Sequence, residues 1–65
     1  MKIKALILWH YYNADGVIFN ASSTMFEGTP DELHTRIQDE YTENGKRREK
    51  KMGHTIPQQI IILDP

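Results

Sequence analysis

Lys46-Arg47-Arg48-Glu49-Lys50-Lys51 gathers five cations and one anion in a chain of net charge −1. Such a cluster neutralises phosphates and gives salt-dependent binding to nucleic acid or to a nucleotide. It is also the composition of a solvated helix end or loop, where a helix dipole favours cations. The pI of about 6.3 lies far from the basic balance of a dedicated nucleic-acid binder. Trp9-His10-Tyr11-Tyr12 supplies four consecutive rings. At a sheet end, rings of this kind stack bases or anchor a protein interface. Trp9 is the natural core residue of the four, because a small domain needs its apolar area. His10 and Tyr12 are the better contact candidates. The phosphate-contact set is therefore His10, Tyr12, Lys46, Arg47, Arg48, Lys50 and Lys51.

Other chemistry is weakly supported. His10, His34 and His54 are the only imidazoles and there is no cysteine. No His pair has metal-site spacing, so no metal or cofactor is expected. Ser22 and Ser23 fall in a predicted strand, not on a nucleophile elbow, and no glycine-rich phosphate loop precedes the helix. Glu27-Gly28-Thr29 leads into a helix N-terminus that accepts anions in principle, yet Asp31 and Glu32 oppose one there. Carboxylates abound from Asp31 to Glu43, but a short chain offers little dry, concave surface in which to raise a carboxyl pKa. The expectation is a protein without catalytic residues.

The elements that must hold these groups are few. Sixty-five residues make one domain, residues 1–65, and a chain of that size buries only about 60% of its unfolded surface. Charged residues at 26%, hydrophobic residues at 38% and a mean hydropathy of −0.60 describe a polar globular domain. The usual staple of a domain this small, the disulfide, is missing, so stability falls to the core or to self-association. The apolar run Ala5–Trp9 is too short for a signal peptide, and no stretch is long enough to span a bilayer, so the expectation is cytoplasmic.

Ile3–Tyr12 reads as a strand, rich in β-branched and aromatic residues. Asn13-Ala14-Asp15-Gly16 is a turn. A second strand is predicted from Val17 to about Phe26, with Val17, Phe19, Ala21 and Met25 on one face and Asn20, Ser22 and Thr24 on the other. Thr29-Pro30-Asp31-Glu32 has a Thr N-cap, Pro at the first helical position and Glu for a capping box. A helix therefore starts at Pro30, with Leu33, Ile37 and Tyr41 as its sheet-facing stripe. It stops near Asn44, where Gly45 offers a cap, or runs on to about Met52. Gly53 to Pro57 is a predicted loop, and Gln58–Leu63 a third strand ended by Asp64-Pro65. The fold class is α+β: ββαβ, a mainly antiparallel three-stranded sheet of order 2-1-3 with one helix on one face.

One helix covers one face of such a sheet, and a strand with water behind it alternates apolar with polar. The second strand does so. Ala5–Trp9 and Ile60–Leu63 do not, and they read as strands buried on both sides. With Ile3, Ala5, Ile7 and Trp9 against the helix, a second apolar face of Leu6, Leu8, Ile18, Ile61 and Leu63 remains. Exposed contiguous apolar surface marks an interaction site, so the expectation is a homodimer or a protein partner docked there, unless the basic loop or a curled sheet hides the patch.

The ββαβ order resembles a minimal β-grasp. Arg36-Ile37-Gln38-Asp39 and Ile56-Pro57-Gln58-Gln59 are similar to short polar words in ubiquitin-like proteins, whose fourth strand and tail have no counterpart here. In size, compactness and lack of catalytic groups the chain is similar to small phage-encoded proteins that inhibit host transcription or defence systems. That resemblance implies a non-catalytic inhibitor that occupies a protein partner, and it carries over no functional residue. Two other classes stand beside it: a phosphate-binding module built on residues 46–51, and a purely structural oligomer subunit.

Overall fold

A computed structural model describes residues 1–64. Strand β1 (Ile3–Tyr12), strand β2 (Ile18–Gly28), helix α1 (Pro30–Glu49) and strand β3 (His54–Asp64) follow in that order. Both pairings are antiparallel and the sheet order is β2-β1-β3, so the fold class is as the sequence predicts. The Cα trace measures 39 × 19 × 11 Å.

The β1–β2 turn forms for the reason its residues suggest. Asn13 Oδ1 accepts from the N–H groups of Asp15 and Val17, and Gly16 takes the left-handed φ of +80°, where a Cβ carries a steric penalty. The capping box of α1 is complete: the Thr29 hydroxyl accepts from Glu32 N–H, and Glu32 accepts from Thr29 N–H. Those bonds engage the Glu32 and Thr29 N–H groups, Pro30 has none, and the Glu32 carboxylate itself stands where an anion would sit at this helix end. Thr29 lowers the pKa of the Glu32 carboxyl, through its backbone N–H first and its hydroxyl second.

The helix passes Gly45 and ends at Glu49. Its stop lies in residues with no strong sequence signature. Met52 N–H reaches back to Arg47 O and Lys51 N–H to Arg48 O, while Lys51 stands at φ 57°. This is the Schellman arrangement, with a lysine where glycine is usual. Gly45 does not end the helix: the strong helix formers from Lys46 to Glu49 continue it beyond the glycine, and Tyr41 and Asn44, both before it, are bonded to β3.

The core is one row of β1, namely Ile3, Ala5, Ile7 and Trp9, closed by Leu33, with Tyr11, Phe26 and Ile37 packed around it. The odd positions of β1 face the helix, the one of the two possible arrangements that the sequence reading takes as its premise. Three boundary expectations are corrected. Strand β2 runs from Ile18 to Gly28 instead of from Val17 to Phe26. Strand β3 begins at His54, four residues before Gln58, so the predicted loop through Pro57 is strand. It also continues through Asp64, and Pro65, the other half of its expected stop, lies outside the described residues.

Pro57 fits inside β3 for a definable reason. The Thr55 N–H donates to Asn44 of the helix, so at that rung the backbone of β3 points away from β1. Thr55 pairs with Tyr11 and Pro57 with Trp9, two positions along β1, hence Pro57 points outward as well. Its absent N–H is one that no ladder bond needs.

Candidate docking face

Cross-strand partners in an antiparallel sheet share a face, so the register sorts every side chain. Lys4, Leu6, Leu8, His10 and Tyr12 of β1 lie opposite Glu27, Met25, Ser23, Ala21 and Ile18 of β2. On β3 the same row continues through Ile61, Gln59, Ile56 and His54. This is the face turned from the helix. Four of the five docking candidates, Leu6, Leu8, Ile18 and Ile61, share it, and Leu63 stands at the register shift between Lys4 and Ala5. Met25, 59% exposed, belongs with them. From the Leu6 rung to the Tyr12 rung the face carries no Asp, Glu, Lys or Arg.

The polarity of β2 is the reverse of the simple expectation. Its apolar positions Ala21 and Met25 sit on the open face. The polar row Asn20, Ser22 and Thr24 shares the helix side with Trp9 and Tyr11. The reason is hydrogen bonding. Trp9 Nε1 donates to Thr24 Oγ1 at 2.8 Å, and Tyr11 Oη meets Ser22 Oγ at 2.9 Å, so hydroxyls there satisfy the polar ends of core rings. Phe19 leaves its expected row at the register shift beside Tyr11 and packs on the Tyr11 ring, with centroids 6.4 Å apart.

The expected burial of β3 on both sides is also corrected. Ile60, Ile61, Ile62 and Leu63 are 40%, 37%, 52% and 51% exposed, because β3 is an edge strand and the helix covers only its first half. There Tyr41 Oη donates to Pro57 O, and Asn44 Oδ1 accepts from Thr55 N–H at 2.8 Å. Asn44 and His54 are the buried polar side chains among the described residues. Neither was singled out from sequence as a structural residue, since an Asn beside a Gly reads as a helix stop.

The aromatic and basic groups meet at the Tyr12 end of the sheet. Tyr12 and His54 stack with centroids 5.0 Å apart and planes within 5°, and His10 lies tilted at 6.5 Å from Tyr12. Arg48 lines a cleft of about 380 Å³ with Tyr12 and His54. Arg47 faces Tyr11, Tyr12 and Phe19 across a neighbouring one. Of the phosphate-contact set, the structure thus gathers Tyr12, Arg47 and Arg48, with His10 adjacent. Lys46, Lys50 and Lys51 are exposed beside them along the chain. His34 is exposed on the helix, and no group of three His, Cys, Asp or Glu is placed to hold a metal among the described residues.

A second cleft, of about 430 Å³, separates the helix from β2. Arg36 stands over the Trp9 ring at 6.0 Å, a cation–π contact that sequence spacing does not reveal. Glu40 and Glu43 line the same cleft, and both ring donors in it are engaged by β2 hydroxyls. The arrangement is a structural lining without a free receptor.

No family model, curated protein or solved structure matches this chain. No helix among the described residues is long and apolar enough to cross a membrane.

Proposed function

We propose that this chain is a non-catalytic binding protein in which two copies pair through their open sheet faces, and that the paired unit acts by occupying a protein partner, as an inhibitor of the phage-encoded kind does. The observation that carries this reading is the run of rungs from Leu6 to His10, free of Asp, Glu, Lys and Arg, on the face turned from the helix. Its relief favours a second copy as the occupant. Leu6 and Leu8 form a ridge on the central strand; on β2, Met25 stands beside Leu6, and the small Ser23 and Ala21 beside Leu8 and His10 form a trough over those two rungs. A two-fold axis lays each ridge into the other's trough, which is the self-complementarity an isologous interface requires. Pairing leaves the helices outward, with their carboxylates available to a target.

The test is molar mass by light scattering for the wild type, Leu6→Asp and Leu8→Asp, with circular dichroism as the control for folding. Loss of self-association in folded variants supports the reading. A folded Leu6→Asp with unchanged mass overturns it.

A second reading is a phosphate-binding end, favoured by the convergence of Arg47 and Arg48 on the Tyr12–His54 stack. It requires affinity for a nucleotide or single-stranded nucleic acid that falls steeply with salt.

A further inference from the structure

We infer that the second half of β3 is a pairing edge for the same edge of another copy, joining two three-stranded sheets into one continuous six-stranded sheet. The inference rests on the backbone of β3 and is independent of the open face.

Natural edges are protected by charge, proline, a bulge or a cover. The first half of β3 has two of these, and register shifts at Gln58 and Leu63 confine the regular edge beyond it to Gln59–Ile62. The helix side chains Tyr41 and Asn44 bond the outward groups of Pro57 and Thr55, and Pro57 itself removes a donor. From Gln58 to Leu63 there is no charged side chain, and the helix contributes no hydrogen bond of this kind. Four consecutive β-sheet-favouring apolar residues are instead left 37–52% exposed.

The register says which backbone groups are free. Thr55 points outward from Tyr11, and β1 faces β3 on alternate residues, so the partners of Tyr11, Trp9, Ile7 and Ala5 all point outward. Those of Ile7 and Ala5 are Ile60 and Ile62. Each directs one N–H and one C=O away from the sheet. An antiparallel two-fold at Ile61 sets Ile60 opposite Ile62 of the second copy and Ile62 opposite its Ile60. Every outward group of the pair is then bonded, and β-branched residues face each other across the seam. A foreign strand could match the backbone, but Ile60 and Ile62, the two residues with outward groups, are identical about Ile61, so a second copy meets each isoleucine with an isoleucine, and Gln59 falls opposite Leu63. The same axis keeps the two sealing helices on opposite sides of the seam. Because it stands perpendicular to the sheet, whereas the face-to-face axis lies parallel to it, both interfaces can close together in a four-copy assembly.

The decisive variant is Ile62→Pro. Like Pro57, it removes an outward N–H and leaves the β1 ladder intact, deleting two seam bonds by symmetry and weakening association roughly tenfold or more. Ile62→Lys is the companion, placing a charge at the seam without constraining the backbone. Sedimentation equilibrium reads the mass, and amide exchange by NMR reads the Ile60 and Ile62 N–H groups in the wild type. Protection of those two amides that rises with protein concentration, and a drop in mass for either folded variant, support the edge. Fast exchange of both amides at all concentrations, or unchanged mass in a folded variant, overturns it. Leu6→Asp separates the two interfaces: a face dimer is lost in that variant, whereas an edge dimer survives it.

Discussion

Asn44 Oδ1 accepts the Thr55 N–H at 2.8 Å, tying the second turn from the helix end to the outer edge of β3. Its Nδ2 donates to Glu40 O at 2.8 Å, so both ends of the amide are engaged. One side chain thereby closes part of an edge that a three-stranded sheet otherwise leaves open. Asn44→Ala leaves the Thr55 N–H without its partner, and a cost of about 1–3 kcal/mol is expected. Denaturant unfolding measures it, and faster exchange of the Thr55 amide locates it.

The Trp9–Thr24 bond predicts an unusual tolerance pattern on β2. Thr24→Val keeps shape and β-branching but leaves the buried indole N–H unpaired, for an expected loss of about 1–2 kcal/mol. Thr24→Ser keeps the acceptor and loses less. Equal stability of all three proteins in urea contradicts the assignment of Thr24 as the indole's partner.

The capping box predicts a pH dependence with a defined sign. Thr29 holds the folded-state pKa of Glu32 below its ordinary 4.5. The unfolded chain therefore binds the proton first as acid is added. The stabilisation is complete above that ordinary value and is lost as pH falls through the folded one. The difference in melting temperature between wild type and Glu32→Ala should accordingly shrink from neutral pH to about pH 3. Thr29→Ala removes the cap acceptor and costs about 1 kcal/mol at either pH.

Lys51 sits at φ 57°, a left-handed conformation that a side chain disfavours. Lys51→Gly relieves that strain and is expected to stabilise by about 0.5–1 kcal/mol after the added freedom of the unfolded chain. That corresponds to a rise in melting temperature of a few degrees. A lower melting temperature rules out the strain argument.

For the basic end, Arg47→Glu with Arg48→Glu is the informative pair. A phosphate-binding end loses affinity for a fluorescent nucleotide or oligonucleotide by at least tenfold, and the wild type shows a steep salt slope. Absence of wild-type binding at about 50 mM salt removes that reading and leaves the docking faces.

The sequence by itself determined what local chemistry controls. Ile3–Tyr12 could only be a strand, Asn13–Gly16 supplied both the Asx acceptor and the glycine of a turn, and Thr29-Pro30-Asp31-Glu32 carried every part of a capped helix start. Which row of β1 forms the core was not legible, because Ala5–Trp9 is apolar at every position and only the helix's place on one face selects the odd row. Tertiary structure decided what depends on partners distant in the chain. It chose between the two helix ends the sequence left open, carrying α1 past Gly45 to Glu49, where the Met52 and Lys51 N–H groups turn back on Arg47 and Arg48. It admitted Pro57 to a strand, because only the sheet order makes that N–H dispensable. It turned the polar row of β2 inward, where Thr24 accepts from the Trp9 indole and Ser22 shares a hydrogen bond with the Tyr11 hydroxyl. It left Ile60–Leu63 on an open edge, because an apolar run encodes only a preference for burial, while strand order decides whether this chain has anything to bury it against.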